Sequence, residues 1–441
     1  MIIIIAGAGK VGFQLARSLS THHQVTVIDQ NAEALNRLQE LIDIFPLHGN
    51  IENPRTYSAL LDAKADIFIA VSDSDEANLI STLLIDDYIE VERKIIRLRN
   101  SYFAESQTLS NFGNLQRIFP FQLAAETIRA LLAHPEANNV KTFAMAQSKL
   151  ISIKVDNPVH EEKRVELFEN DRVKIIGIER EKSFFLPQKE DVIIHGDLLY
   201  FLGDGSVLDA LYGELDLHMP QQIKNAVIFG AKTLGVEIAK VLIDEGVQVK
   251  LVEKDVAYCQ SASEALQDKA LIINSHYDET ILYEEENLVS ADMVITAGMQ
   301  DETNIIQALQ AKEQGIPKVV AINNEPKYYA LMHQLGMIVA RGPRTSAYYT
   351  ILESLAAQGT MEKRHFCAGD GIILSRKIRP LCSLIGQLIR PGHKEVGLLL
   401  LERDAKILVV ENEIALETHD ILFLVTSAKN EKKGEQWIAS L

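Results

Sequence analysis

Three deficits narrow the field before any motif is read. Cysteine is scarce: Cys259, Cys367 and Cys382 are the three in 441 residues, odd in number, far apart and without a Cys-x-x-Cys pair. That argues against a disulfide framework and against a metal site, and leaves reduced thiols in core or semi-buried positions. Long apolar runs are missing too, with none approaching the roughly 20 residues that span a bilayer. The opening MIIIIA is too short for a signal-peptide core and lacks a basic leader. A cytosolic chain is therefore expected, one that works at a membrane only by docking to something there. Positive charge is in deficit, 44 Lys and Arg against 61 Asp and Glu, for a formal net charge of −17. A broad nucleic-acid surface is excluded, because phosphate binding needs concentrated Lys and Arg. The remaining composition, 47% hydrophobic, is ordinary for globular protein, and the length suits about three domains.

What is present begins at once. The residues MIIIIAGAGKVG run an apolar strand into Gly7-Ala8-Gly9-Lys10-Val11-Gly12, and Phe13, Leu15, Ala16 and Leu19 follow at helical spacing. The next apolar run, Val25, Val27 and Ile28, ends on Asp29. Strand, Gly-x-Gly-x-x-Gly turn, helix, strand and acid, in that order, make a nucleotide-binding pattern. Gly7 permits the tight turn, Gly9 lets a pyrophosphate approach the backbone, and Gly12 lets the helix pack close to the strand with its N-terminus facing the phosphates. Asp29 can accept hydrogen bonds from a ribose and repels a 2′-phosphate, which favours NAD or an adenine nucleotide over NADP. The competing reading is a doubly wound domain whose glycines serve packing alone.

The pattern recurs. AVIFGAKTLG (226–235) places Gly230 and Gly235 223 positions after Gly7 and Gly12, and Glu253 in VKLVEKD stands where Asp29 stands in VTVIDQN. DIFIAVSDSDEANLI (66–80) parallels DMVITAGMQDETNII (292–306), IIRLRN (95–100) parallels VVAINN (319–324), and GDLLYFLG (196–203) parallels THDILFLV (418–425). A near-constant offset along the chain indicates tandem duplication. In each half a larger part alternates strands with amphipathic helices. In the first half the strands lie near 2–6, 25–28, 45–47, 67–71, 95–98 and 116–118, with helices such as 32–42 and 76–90, which predicts a parallel sheet with helices on both faces. A smaller part, rich in short strands and with one helix near 162–168, predicts a compact α+β module. The expected boundaries are 1–120, 121–139 and 140–220 for the first lobe, crossover helix and module, and 221–342, 343–362 and 363–441 for their counterparts. The helix at 121–133 gathers Leu123, Ala124, Ile128, Leu131 and Leu132 on one broad face, suited to another subunit, to the other half or to its own sheet. Asp197 and Asp420 read as turn residues ahead of a strand.

These residues carry a resemblance. The glycine half, the acid on the second strand, the A-V-S-D-S-D-E-A-N segment, the Arg-x-Arg strand, the crossover helix and the small Gly-Asp module resemble a regulator of potassium conductance (RCK/KTN) domain with its TrkA-C subdomain. Two such units in one chain are similar to the TrkA-like regulators of bacterial Trk potassium uptake. The fold class is then α/β, with two Rossmann-like doubly wound parallel-sheet domains, each followed by a small α+β TrkA-C-like subdomain. The resemblance implies a regulatory subunit rather than an enzyme. It would self-associate as a homo-oligomeric ring, peripheral on the inner face of the cell membrane, and dock on a TrkH/TrkG-like membrane potassium transporter subunit. It implies NAD/NADH or ATP/ADP as the regulatory ligand. By the same resemblance the first-half ligand residues are Gly7, Ala8, Gly9, Lys10, Val11 and Gly12, then Asp29, the Gly49-Asn50 turn, Val71-Ser72-Asp73, and Arg97 or Arg99. An arginine there can reach phosphates as a bidentate partner.

Two departures qualify that reading. His48-Gly49-Asn50 replaces the Gly-Asp usual after the third strand, and His48 reads as a hydrogen-bonded loop residue rather than a catalyst. In the second half the weaker candidates are Gly230, Lys232, Gly235 and Glu253. Lys232 replaces the middle glycine, where its Cβ crowds a pyrophosphate, although its charge can also serve a phosphate. Ala321 and Asn323 replace Arg97 and Arg99, and Asn274-Ser275-His276 also lacks Gly-Asp. The second half is thus expected to bind nucleotide weakly, differently or not at all. The rival function is an NAD-dependent oxidoreductase with a duplicated Rossmann fold. It needs an acid–base group beside the nicotinamide, and His160 and His195 fall in charged, turn-rich contexts that do not suggest one. A third reading is an adaptor in which the nucleotide is structural.

Overall fold

In the computed structural model the described residues are 1–60, 64–104, 106, 114–160, 162–181, 183–215, 222–276, 281–356, 361–380, 382–389 and 396–440. The expected boundary at 220/221 lies outside them. The chain forms two compact units, Met1–Ala124 with Gly342–Leu352, and Ala125–Arg341 with Glu353–Leu441.

The first unit is built on a six-stranded sheet. Its strands are β1 (Ile2–Ala6), β2 (Gln24–Asp29), β3 (Phe45–His48), β4 (Lys64–Ala70), β5 (Glu90–Arg97) and β6 (Leu115–Ile118), all parallel, in the order 3-2-1-4-5-6. Ile3, Ile4 and Ile5 of central β1 are all buried, which explains why the opening run shows no polar alternation. Helix α1 (Lys10–Leu19) buries Val11, Gly12, Leu15, Ala16 and Leu19. Helix α2 (Ala32–Leu41) starts on Asn31, whose side chain accepts the amides of Glu33 and Ala34; α3 (Asp75–Leu84) starts on Ser74, which accepts the amide of Ala77. The strand order reverses between β1 and β4, so a crevice opens beyond their carboxyl ends. Residues 342–352, the start of the helix Pro343–Ala356, complete this unit, with the Tyr348 hydroxyl 2.7 Å from Ser18 Oγ on α1. The crossover helix of the second half therefore packs with the lobe of the first.

The second unit holds a sheet of the same order: Leu271–Asn274, Gln248–Glu253, Asn225–Phe229, Met293–Thr296, Lys318–Asn323 and Ile338–Arg341, again all parallel. The first-half crossover helix, Pro120–Ala133, reaches it: Arg129 pairs with Glu126 and with Glu245, the residue that ends the helix Thr233–Asp244.

Both small modules belong to this unit, and each is a five-stranded antiparallel sheet. The first runs Ser183–Phe185, Val173–Arg180, Leu198–Gly203, Lys149–Lys154, Asn139–Thr142. The second repeats that order as Lys406–Val409, Leu398–Arg403, Ile421–Ser427, Gly371–Lys377, Met361–Phe366. The helix expected near 162–168 is only a 3-10 turn, Val165–Phe168, and the strand Met361–Phe366 begins inside the stretch expected as linker. The two modules share one core, in which Phe143 meets Phe423 edge-on at 5.3 Å and Phe366 packs on Tyr200 at 4.9 Å, among Ile176, Ile373 and Leu400.

Asp197 and Asp420 do more than shape turns. Arg180 Nε and Nη2 donate to the two oxygens of Asp197 at 2.8 and 2.7 Å, and the Ile194 amide adds a third bond. Arg403 repeats this on Asp420 at 2.8 and 2.7 Å, with the Glu417 amide. Both carboxylates are fully buried, so each arginine supplies a fork that water cannot replace. Asp197→Asn or Asp420→Asn is expected to destabilise the chain by about 3 kcal/mol, read as a lower urea midpoint.

A second charge network lies behind the second module. Glu353 accepts the His365 amide at 2.9 Å and stands 3.6 Å from Arg341 and 3.5 Å from Arg364. Burial alone would raise its pKa, but the His365 hydrogen bond and the Arg341 and Lys141 charges outweigh that and hold it at about 2. A depressed carboxylate contributes its stability above the unfolded value and loses it as pH falls through the folded one. Acid unfolding between about pH 4.5 and 2 is therefore expected to be shallower in Glu353→Gln, by about 3 kcal/mol of pH-dependent stability.

Candidate functional site

The crevice at the β1/β4 switch collects most of the residues singled out from sequence. Gly7 has φ +113°, a conformation that side chains rarely adopt, and a Cβ there would stand 2.9 Å from the Ser72 amide nitrogen. At Gly12 a Cβ would lie 1.8 Å from the Gly7 carbonyl oxygen. Gly9, between them, would meet nothing within 4 Å. Two glycines are thus demanded by packing, while the third keeps open space above the start of α1, where an anion can meet the helix N-terminus. Lys10 stands exposed at the first helical position, Val11 turns into the core, and Ala8 is buried.

Asp29 ties the turn down. Its Oδ2 accepts the Ala8 amide at 2.5 Å and its Oδ1 the Asn31 amide at 2.8 Å. Each oxygen keeps a further lone pair for a ribose hydroxyl. After β3, His48 Nε2 lies 3.0 Å from the Gln30 carbonyl oxygen, and Gly49 donates its amide to Asp29 O at 3.0 Å. Gly49 is fixed by packing, since a Cβ would fall 2.6 Å from Thr56. The Asn50 side chain is spent on its own turn, accepting the Glu52 amide at 2.8 Å.

Across the crevice, Val71 continues the sheet by donating to Ala6 O. Asn78 then fixes the loop: its Oδ1 accepts the Ser72 amide at 2.8 Å, and its Nδ2 donates to Ser72 O at 3.0 Å and Arg97 O at 2.9 Å. Asp75 accepts the amides of Arg99 and Asn100 at 2.7 and 2.8 Å. Arg97 is buried at the end of β5 with Nη1 3.1 Å from Asp73 Oδ1, while burial, the largest influence, lowers its pKa. Arg99 is exposed, donates to Asp73 O at 3.1 Å and lies over the Phe121 ring at 5.8 Å. The structure thus brings the glycine turn, Asp29, Ser72-Asp73, Arg97 and Arg99 to one end of the sheet. Asp75 and Asn78 were not singled out from sequence, although their recurrence as Asp301 and Asn304 was a usable signal.

The second lobe keeps this frame and changes what it presents. Gly230 again has positive φ, and a Cβ on Gly235 would again lie 1.8 Å from the carbonyl oxygen of the first glycine. Glu253 replaces Asp29 and accepts the amides of Ala231, Lys254 and Asp255 at 2.9, 3.0 and 3.1 Å, two of them on Oε1. Asn304 holds Gly298 and Ile322 O as Asn78 holds Ser72 and Arg97 O, and Asp301 accepts the amides of Asn324 and Glu325. Lys232 stands where Gly9 left open space and folds over the Tyr258 ring at 4.7 Å. Ala321 is buried, and Asn323 donates to Glu325 O at 2.9 Å. Among the described residues, no group of three or more His, Cys, Asp or Glu is placed to hold a metal ion, and no helix is long and apolar enough to cross a membrane.

Comparison with known proteins follows this geometry. Residues 3–113 and 226–341, the two lobes, match the TrkA-N domain family. The chain is 26% identical to the Trk system potassium uptake protein TrkA homolog of Archaeoglobus fulgidus over 99% of both chains. It is 27% identical to the Trk system potassium uptake protein TrkA of Haemophilus influenzae, over 97% of this chain and 96% of that one. Among solved structures, the GsuK RCK domain superposes with a TM-score of 0.62 at 18% identity, over 100% of this chain and 95% of that one. The GsuK channel bound to NAD gives 0.62 at 18%, over 100% and 79%. At that identity the likeness is one of fold, and it agrees with the tandem Rossmann-like architecture expected from sequence.

The three glycines separate packing from ligand access. Gly12→Ala and Gly235→Ala are each expected to cost at least the roughly 1–3 kcal/mol of an overpacked core. Gly9→Ala should stay within about 1 kcal/mol of the parent, the scale of a helix N-cap change. Thermal denaturation of the three variants checks this, and equal losses at Gly9 and Gly12 would contradict it.

Proposed function

The chain belongs to the TrkA-N domain family, and from that premise we propose that it is a nucleotide-sensing regulatory subunit of a Trk-type potassium uptake transporter, with the first lobe as its sensor. The observation that carries this reading is the contrast between two lobes on one frame. The first keeps open space over Gly9 and two arginines at the crevice; the second puts Lys232 and two uncharged residues in those places. A pyrophosphate takes the N-terminus of α1, a ribose takes Asp29, and Arg97 or Arg99 takes phosphate charge. NAD/NADH or ATP/ADP meets these requirements, and relatives of the same fold have been solved as a GsuK channel bound to NAD and as GsuK bound to ADP.

The role is regulatory rather than catalytic. The carboxylates beside the crevice are committed, Asp29 and Asp75 to backbone amides and Asp73 to Arg97, which leaves them suited to holding a ligand rather than moving its protons. A bound nucleotide shifts the conformational balance of a homo-oligomer by as much as its affinity differs between states, and the membrane subunit reads that balance. The relatives' names, Trk system potassium uptake proteins, support a potassium transporter as the partner, with the chain docked on its inner face.

Calorimetric titration of the full chain with NAD, NADH, ATP and ADP is expected to find at least one tight ligand at one site per chain. Gly9→Ala should weaken it at least tenfold while Lys232→Ala leaves it unchanged. In cells, potassium uptake should respond to the chain and lose that response in Gly9→Ala. Two equal sites per chain, or turnover of NAD with a hydroxy acid or alcohol, would overturn the proposal.

A further inference from the structure

The two small modules grip each other differently at equivalent places. Strand register equates Glu179, opposite Leu198, with Glu402, opposite Ile421, each just ahead of its forked arginine. Both are buried. Glu402 is fixed by the backbone of the other module. Gln147 donates its amide to Oε1 at 3.1 Å, and Ser148 donates its amide at 3.2 Å and its hydroxyl to Oε2. Counted from the paired strands, the equivalents of Gln147 and Ser148 are Asp370 and Gly371. Glu179 takes neither amide. Its Oε2 accepts the Tyr200 hydroxyl at 3.0 Å and the Cys367 thiol at 3.1 Å, and its Oε1 accepts nothing among the described residues. Burial and the Glu179 charge push the thiol pKa up, so it stays a donor.

The hairpin that carries Cys367 also closes further. Met361–Phe366 and Gly371–Lys377 pair as far as Phe366 and Gly371, whereas Asn139–Thr142 and Lys149–Lys154 stop at Thr142 and Lys149. The turn at 367–370 holds Cys367 at φ +48°, Ala368 at φ +52° and Gly369 at φ +103°, and Asp370 donates its amide back to Cys367 O at 2.9 Å. The first two are left-handed positions that side chains rarely adopt, and none of the residues 143–148 shares that conformation. Tyr200 carries the contact onward. Its hydroxyl lies 3.3 Å from that of Tyr329, which begins the second-lobe helix Tyr329–Gln334. Met332 of that helix receives a hydrogen bond at 3.7 Å from Asn323, the residue in the place of Arg99. The counterpart of Tyr200 beside Glu402 is Phe423, which has no hydroxyl to offer.

We propose that the turn at 367–370 is a two-state switch between the module core and the second lobe. In the arrangement seen here, the Cys367 thiol holds the strained turn against Glu179, and Tyr200 passes that position to Tyr329. In the other, the left-handed residues relax and the amides of Asp370 and Gly371 go to Glu179, as those of Gln147 and Ser148 go to Glu402. The first module already displays the relaxed hairpin. Backbone strain works against the observed arrangement and the thiol bond works for it, so the balance is open to bias. Whatever binds one arrangement better is then read at the helix Tyr329–Gln334. The second lobe thereby serves transmission, whichever lobe takes nucleotide.

Methyl NMR of the full chain, labelled at alanine and methionine and followed at Ala368 and Met332, tests this. Cys367→Ala removes a bond to a charged acceptor and should raise the population of the second Ala368 state about tenfold or more, with Met332 shifting in step. Cys367→Ser keeps a donor and should stay near the parent. Adding Ala368→Gly to Cys367→Ala removes the left-handed cost and should return Met332 toward its parent position, which a merely structural thiol would not do. On a Tyr200→Phe background, Cys367→Ala should move Ala368 and leave Met332 where it is. One unchanged Ala368 state in Cys367→Ala, or a Met332 that ignores Ala368 while Tyr200 is in place, overturns the switch. A Cys367→Ala chain that unfolds as a whole instead of shifting overturns it as well.

Discussion

Both lobes depend on one steric permission: a helix can begin in contact with a carbonyl oxygen because glycine has no side chain. The missing Cβ of Gly12 and of Gly235 would each sit 1.8 Å from the oxygen of the glycine five residues earlier. That closeness sets the start of the helix over the end of the central strand. Everything else at the crevice is arranged around it. An acid from the next strand takes the amide of the residue after the first glycine, Ala8 in one lobe and Ala231 in the other. An asparagine from the helix after the fourth strand locks the opposite wall, and an aspartate one turn earlier caps the backbone beyond the fifth strand.

This frame explains why half of the motif says little about ligands. Gly7, Gly12, Asp29, Asp75 and Asn78 are all required by the fold itself, and their counterparts persist in the second lobe although its crevice has changed. The residues that differ, Gly9 against Lys232 and Arg97 against Ala321, are the ones the backbone does not need. Ligand chemistry is written where structural demand is absent.

The sequence was most legible where an interaction is local or periodic. Apolar runs, the glycine spacing and the repeat offset were enough to expect two parallel sheets and two strand-rich modules, because each depends on neighbours a few residues apart or on a pattern repeated whole. It was least legible where partners are distant. Arg180 and Asp197 are 17 residues apart, as are Arg403 and Asp420, and no local pattern marks either pair. The Ser18–Tyr348 bond joins residues 330 positions apart, so the placing of the second-half helix had no local signal. Arg97 and Arg99 are two residues apart, but the strand ends at Arg97, and one is buried while the other is exposed.

The shared core of the two small modules has an evolutionary consequence. In an assembly of identical chains, every inherited change appears in both partners, so a pocket cannot be altered on one side and kept on the other. Here the aromatic contact of Phe143 with Phe423 joins the two modules inside a single polypeptide. Fusion makes their pairing independent of protein concentration and lets a mutation strike one copy only. A gene that has doubled in this way can keep one site under selection while the other drifts toward a supporting task.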